Sequence, residues 1–244
     1  MSLAADLRTV YHLAFSRILG DSHAERLESF YSRQAAGYDG FRQRLLKGRE
    51  ELYAAIPVTQ AMRWIDLGGG TGANLEFLGD RLATMARLWL VDLSPSLLTV
   101  ARERAASRGW HNVEVCAADA TTFVPPGGAV DAVTCSYSLT MIPDWFTAVD
   151  HACRLLRPGG VLGVVDFYVA RKFPSEGLRR HSWWSRHFWP AWFGMDNVHL
   201  SADHVPYLQS RLETIELVEA TAPVPYLPGL RVPYYRFLGR KRAA

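Results

Sequence analysis

Short apolar runs, several of them holding or followed by an aspartate, recur along the chain: Trp64-Ile-Asp-Leu67, Leu88-Trp-Leu-Val91, Val113-Glu-Val-Cys-Ala117, Val130-Asp-Ala-Val-Thr-Cys135 and Val161 to Phe167. Runs this short and this rich in Val, Ile, Leu and Trp predict buried strands. The first passes directly into a glycine-rich turn and a helix entered at Asn74 and Leu75. Leu212 to Val218 and Val232 to Leu238, separated by a loop bearing Pro and Gly, predict two terminal strands that pair antiparallel. Ahead of the first strand, Leu27, Phe30, Tyr31, Ala35 and Tyr38 recur at three- and four-residue spacing, which predicts a helical prelude over 24–56 with one covered face. An insertion over 171–210 follows the fifth strand. There Trp184, Phe188 and Trp192 share one helical face, Trp189 and Phe193 lie beside it, and Pro190 must kink any helix. The whole predicts a single α/β domain over 1–244, Rossmann-like, with a mostly parallel central sheet.

The turn after the first run carries the chemistry. Asp66 belongs to the strand, and Gly68, Gly70 and Gly72 let the backbone turn tightly and approach a ligand where a Cβ would collide. Asn74 then enters a helix whose free N–H groups favour an anion. Taken alone the loop has two readings, because Gly68, Gly70 and Ala73 also satisfy the G-x-G-x-x-G/A fingerprint of dinucleotide-binding domains. The following strands add discrimination. Asp92, with Leu93 beside it, ends the second run where a carboxylate can accept both ribose hydroxyls. Asp119-Ala120 follows the third, where a carboxylate can meet the exocyclic amine of an adenine. Ser136-Tyr137 follows the fourth. The alternative for both aspartates is plain helix capping after a strand.

Composition narrows the setting. At 244 residues, with 49% hydrophobic and 21% charged side chains, the chain has enough apolar surface for a substantial core. No uncharged apolar run reaches the roughly 18 residues that span a bilayer, and Met1 to Val10 lacks a signal pattern, so a cytoplasmic protein is expected. Cys116, Cys135 and Cys153 are widely spaced and predict buried thiols in a reducing compartment; no metal site is expected. Net charge is only +3, but residues 167–244 hold 11 Lys and Arg against 6 Asp and Glu. That excess falls in the segment containing Trp183, Trp184, Trp189 and Trp192. Trp with flanking Arg suits a bilayer interface, and it equally suits an apolar cap over the core. The charge is thin for following a phosphate backbone, and no Asn-Pro-Pro-Tyr or Asp-Pro-Pro-Tyr follows strand four, so nucleic acid is not an expected partner.

The strand order with these strand-end residues resembles class I methyltransferases that use S-adenosylmethionine. Several phrases together are similar to one family within them, the methyltransferase half of eukaryotic-type betaine lipid synthases: Phe30-Tyr31, Leu46-Lys-Gly-Arg49, Ile65 to Gly72, Ser136 to Pro143, Gly163-Val-Val-Asp-Phe-Tyr168, Phe188 to Phe193 and Val232-Pro-Tyr-Tyr235. This resemblance runs from about residue 27 to the end. It implies three successive methyl transfers that convert diacylglyceryl-homoserine to diacylglyceryl-N,N,N-trimethylhomoserine. The eukaryotic proteins carry a second domain that attaches the homoserine moiety; no counterpart lies in these residues, which implies a separate homoserine-transferring protein.

On the same resemblance the prelude is a lid over the cofactor, with Tyr31 and Tyr38 packing on the ligand and Arg49 pairing with its carboxylate. Tyr137 is expected as proton relay, and Tyr137 and Tyr168 as ring faces against the methylated ammonium, with Tyr207 and Tyr234 as weaker candidates. Arg171 or Arg180 would pair with the homoserine carboxylate. Competing readings are a C- or O-methyltransferase acting on a quinone or another hydrophobic small molecule, and a non-catalytic module that binds the cofactor or a lipid surface.

Overall fold

A computed structural model of the protein describes residues 25, 28, 44–225 and 229–242. Seven strands form one sheet: β1 (Arg63–Leu67), β2 (Arg87–Asp92), β3 (Val113–Ala117), β4 (Val130–Ser136), β5 (Leu156–Phe167), β6 (Glu213–Pro223) and β7 (Arg231–Arg240), in the spatial order β3-β2-β1-β4-β5-β7-β6. The first five are parallel; β7 runs antiparallel to both β5 and β6. All seven expected strands are present, the terminal antiparallel pair included. β1, β2 and β4 are covered on both faces, which is why they read as apolar runs rather than alternations.

Alternation appears instead in which core each residue enters. Trp64, Leu88, Leu90, Val165 and Phe167 pack into one cluster, whereas Ile65, Leu67, Trp89, Val91, Val164 and Tyr168 pack into the other. Helices α1 (Arg49–Ala55), α2 (Pro95–Arg108), α3 (Trp145–Leu155), α4 (Trp183–Gly194) and α5 (His204–Arg211) cover these faces. Strand order reverses at β1, between β2 on one side and β4 on the other, so a crevice opens beyond the carboxyl ends of the strands there.

Local chemistry explains several boundaries. The Ser94 hydroxyl caps α2 by accepting from Leu97 N at 3.4 Å, Pro95 supplies the first helical φ, and Gly109 ends the helix at φ 67°. Three expectations change. The segment entered at Asn74 is 3-10 turns over Ala73–Thr84, broken at Gly79 (φ 53°, ψ −138°), rather than an α-helix. The prelude is not one continuous helix, because Gly48 adopts φ 82° directly before α1. Helix α4 runs on through Pro190. Tyr31 and Tyr38 lie outside the described residues.

Candidate functional site

At the crevice between the ends of β1 to β4 lies a cavity of about 260 Å³. Its walls come from Gly68 and Gly70, from Asp92, Leu93 and Leu97, from Asp119 and Ala120, and from Tyr137, Ser138 and Met141 to Asp144. A smaller recess continues past Gly68, lined by Leu46, Arg49, Thr71, Asn74 and Ser136 among others.

The glycine loop is fixed to β2. Gly68 N and Gly69 N both donate to the Val91 carbonyl, at 2.8 and 3.2 Å, and Gly70 N donates to Asp92 Oδ2 at 2.9 Å. Gly68 (φ 68°) is required twice over. Its conformation is left-handed, and a Cβ there would stand 2.4 Å from Ser138 Cβ. Gly69 is required for space, since its Cβ would meet Leu90 Cγ at 2.7 Å and Asp66 Oδ2 at 3.0 Å.

Asp92 Oδ1 accepts from Ser94 N at 2.9 Å, so this carboxylate is held between loop and helix while lining the cavity. Glu28 accepts from the Ser94 hydroxyl at 2.7 Å and from Ser96 N at 3.3 Å, which brings the prelude to the wall that Asp92 and Leu93 form. Asp119 lines the cavity and also caps its own turn, where its Oδ1 accepts from Thr121 N and the Thr121 hydroxyl, each at 2.7 Å.

In the smaller recess, Arg49 Nη1 donates to Asn74 Oδ1 at 3.0 Å and Arg49 Nε to the Leu46 carbonyl at 3.0 Å. Ser136 also lines this recess, its hydroxyl buried and without a protein partner. A guanidinium, an amide and an unsatisfied hydroxyl converge where an amino-acid end would sit. The adjoining cavity offers a carboxylate for a ribose and an apolar shelf for an adenine, so the residues fit S-adenosylmethionine.

Asp66 lines neither space. It lies fully buried under the loop, where its Oδ1 accepts from the Tyr53 hydroxyl at 2.7 Å and the Thr134 hydroxyl at 2.6 Å, while Oδ2 has no partner. Burial pushes its carboxyl up to about 6. Asp66, expected among the cofactor-binding residues, is thus placed beneath the loop.

Tyr137 stands at the cavity wall with φ 53°, a conformation that costs a non-glycine residue about 1 to 3 kcal/mol. It is held by Tyr137 N donating to the Val165 carbonyl at 2.7 Å, by an edge contact with Phe167 at 4.6 Å, and by its hydroxyl donating to the Lys47 carbonyl at 2.7 Å. Burial raises that hydroxyl well above the ordinary tyrosine range, which suits it to orienting the wall rather than taking a proton.

The structure places Tyr168 apart from Tyr137, its expected partner in the site. Successive strand residues face opposite ways, so Phe167 meets Tyr137 while Tyr168 enters the other core, its hydroxyl donating to Glu219 Oε1 at 2.7 Å. Tyr207 likewise donates to Asp150 at 2.8 Å, and Arg171 is paired with Asp203. Tyr234 is half-buried on β7, opposite Phe167. Of the four tryptophans, Trp189 is buried in the core with Phe193, Trp192 is half-buried, and Trp183 and Trp184 are exposed.

Cavity residues given no role from sequence include Leu97, Ala118, Thr121, Ser138, Met141, Ile142, Pro143 and Asp144. Most follow directly on Ser136-Tyr137. Their signal was the Pro-Asp start of α3, where Asp144 accepts from Thr147 N at 3.3 Å. Deeper still, Asp166 accepts from Thr140 N, the Thr140 hydroxyl and Phe167 N, and burial pushes it up to about 7. Among the described residues no group of three or more His, Cys, Asp or Glu is placed to hold a metal ion. Nor is any described helix long and apolar enough to cross a membrane.

A family model described as a methyltransferase domain matches residues 65–160. The chain is 28% identical over 161 residues to the ubiquinone/menaquinone biosynthesis C-methyltransferase UbiE of Laribacter hongkongensis, covering 64% of this chain and 66% of that protein. The chain thus spans about two thirds of the length of that relative. Among solved structures, the [4+2]-cyclase SpnF superposes with TM-score 0.69 at 16% identity, over 94% of this chain and 100% of that one. N-methyltransferase NodS from Bradyrhizobium japonicum, in complex with S-adenosyl-L-homocysteine, does so with TM-score 0.64 at 16% identity, over 88% of this chain and 98% of that one. The architecture is the class I methyltransferase fold.

Proposed function

We propose that this chain is an S-adenosylmethionine-dependent methyltransferase whose acceptor is a lipid amine, converting diacylglyceryl-homoserine to the N,N,N-trimethylated betaine lipid in three successive transfers. The coarser part of this reading, methyl transfer from S-adenosylmethionine, rests on the methyltransferase-domain match over 65–160 and on the two adjoining recesses whose residues suit that molecule. The observation that carries the acceptor is the Tyr137 ring at the cavity wall, backed by Phe167 at 4.6 Å. An apolar acceptor with a cationic product suits such a wall, since ring faces attract an ammonium without counting its protons. The phrases shared with betaine lipid synthases point the same way.

When bound, S-adenosylmethionine supplies a sulfonium methyl that is electrophilic without an acid. The chain's residues then have positioning to do. Arg49, Asn74 and Ser136 hold the amino-acid end, Asp92 the ribose, and Leu93, Asp119 and Ala120 the base. Tyr137, fixed through Lys47 and Phe167, sets the wall from which the nitrogen approaches. Proximity of this kind supplies a large part of a barrier. An α-amino group with a pKa of about 8 is partly neutral near pH 7, so no strong base is required.

Similarity to UbiE favours a second reading, C-methylation of a quinone ring. The fold also hosts a cyclase, so a module without methyl transfer is a third outcome. Labelled S-adenosylmethionine is incubated with vesicles containing diacylglyceryl-homoserine, or with a demethylated prenyl quinone, and products are weighed by mass spectrometry. Additions of one, two and three methyl groups to the lipid are expected. Methylation of the quinone alone selects the second reading, and cofactor binding without either product the third.

A further inference from the structure

Helix α4 turns two unlike faces outward and inward. Trp189 and Phe193 are buried in the core, where Phe193 packs on Phe167 of β5. On the opposite side Trp184 (72% exposed), His187, Ala191 and Met195 form a stripe along the helix, with Trp183 (59%) beside its start. The preceding loop adds to this surface. Ala170 N donates to His181 Nδ1 at 3.0 Å, which closes the loop and keeps Lys172 and Phe173 within about 10 Å of the tie along the chain, as it does Trp183. Phe173 is 77% exposed with the Lys172 ammonium over its ring at 5.3 Å. Residues 171–195 hold five Lys and Arg against one acid, and Lys172, Arg179 and Arg180 are exposed.

Large exposed rings with exposed cations in the same stretch of chain have a specific physical complement. Tryptophan rings settle at the depth of lipid headgroups, and Lys and Arg gain most where those headgroups are anionic. We propose that the outward face of α4, with Lys172, Phe173 and Arg179, docks on an anionic lipid bilayer. This rests on the lipid-acceptor reading but fails separately from it.

The test is flotation with vesicles of equal parts phosphatidylglycerol and phosphatidylcholine, against phosphatidylcholine alone. Wild type should float with the anionic vesicles and release at high salt. Joint Trp183→Ala and Trp184→Ala, and separately Lys172→Glu with Arg179→Glu, should each lower partitioning by about ten-fold or more. Val124→Ala, an exposed apolar residue elsewhere, should change nothing. All variants should melt as wild type and methylate an acceptor dispersed in detergent at the wild-type rate. Absence of flotation, or equal flotation of the tryptophan variant, overturns the proposal. So does light scattering that finds a dimer dependent on Trp184 with no vesicle binding, which would make the occupant a second copy. Flotation without lipid methylation would remove the acceptor reading and leave the docking surface standing.

Discussion

The Tyr137 hydroxyl donates to the Lys47 carbonyl oxygen at 2.7 Å, tying the end of β4 to the turn before α1 across the mouth of the cavity. A hydroxyl so engaged, buried and raised well above its ordinary pKa, holds geometry rather than moving a proton. Tyr137→Phe keeps the ring on Phe167 and deletes one hydrogen bond. It should cost about 1 kcal/mol of stability and lower turnover, while the pH dependence of kcat/KM stays where it was. A displaced acid limb in that profile would restore Tyr137 as the proton relay.

Asp92 connects two structures and faces a third. Its carboxylate accepts from Gly70 N and Ser94 N, each at 2.9 Å, and lines the cavity. Asp92→Ala removes a charged acceptor worth about 1.5 to 3 kcal/mol, so S-adenosylmethionine binding should weaken by about ten- to a hundred-fold in titration calorimetry. Normal affinity would remove the ribose assignment.

Two left-handed glycines separate conformation from space. Gly128 has φ 74° and nothing within 4 Å of where a Cβ would stand, whereas Gly68 has φ 68° and Ser138 Cβ at 2.4 Å from that point. Gly128→Ala should cost only the backbone penalty, about 1 to 2 kcal/mol. Gly68→Ala should cost more in urea unfolding and should abolish cofactor binding, because Ser138 is itself anchored to the Leu67 carbonyl at 3.0 Å. Equal costs would mean that Ser138 gives way.

These residues mark how far the sequence could be read. Strands buried on both faces announce themselves as apolar runs, and the glycines and Asp92 sit at fixed offsets from strand ends, so sheet, loop and the carboxylate at the cavity wall were all visible. Facing is not visible at a strand's end without its register. Asp66 and Gly68 are two residues apart, yet one lies under the loop and the other in it. Phe167 and Tyr168 are adjacent, and only Phe167 meets the ring of Tyr137. Nor does periodicity alone separate the inward Trp189 from the outward Trp184, since the apolar stripe encircles most of α4.

Tyr168 supplies the matching test. Its hydroxyl donates to Glu219 at 2.7 Å on the far side of the sheet from Tyr137. Tyr168→Phe should lower stability by about 1 kcal/mol and leave kcat and KM within about two-fold of wild type. A large fall in kcat with stability intact would return Tyr168 to the acceptor site.

Asp66 makes a pH dependence that can be isolated. Burial is the main cause of its rise, opposed by the Thr134 and Tyr53 hydroxyls, and the charge of Asp92 adds to it, so the folded carboxyl titrates at about 6 against about 3.9 in an unfolded chain. The folded state therefore holds this proton more tightly. The stability that follows is present in full below the unfolded value and is lost as pH rises through about 6. Other carboxylates titrate in the same range, Asp166 among them at about 7, so the wild-type curve alone does not identify the group. Asp66→Asn deletes one titration and leaves the rest. Wild-type stability minus that of the variant, from urea unfolding at a series of pH values, should fall between about pH 4 and pH 6 by at most about 3 kcal/mol and then level off. A flat difference would mean that Asp66 is ionised at its usual pKa beneath the loop, with Oδ2 reached by water.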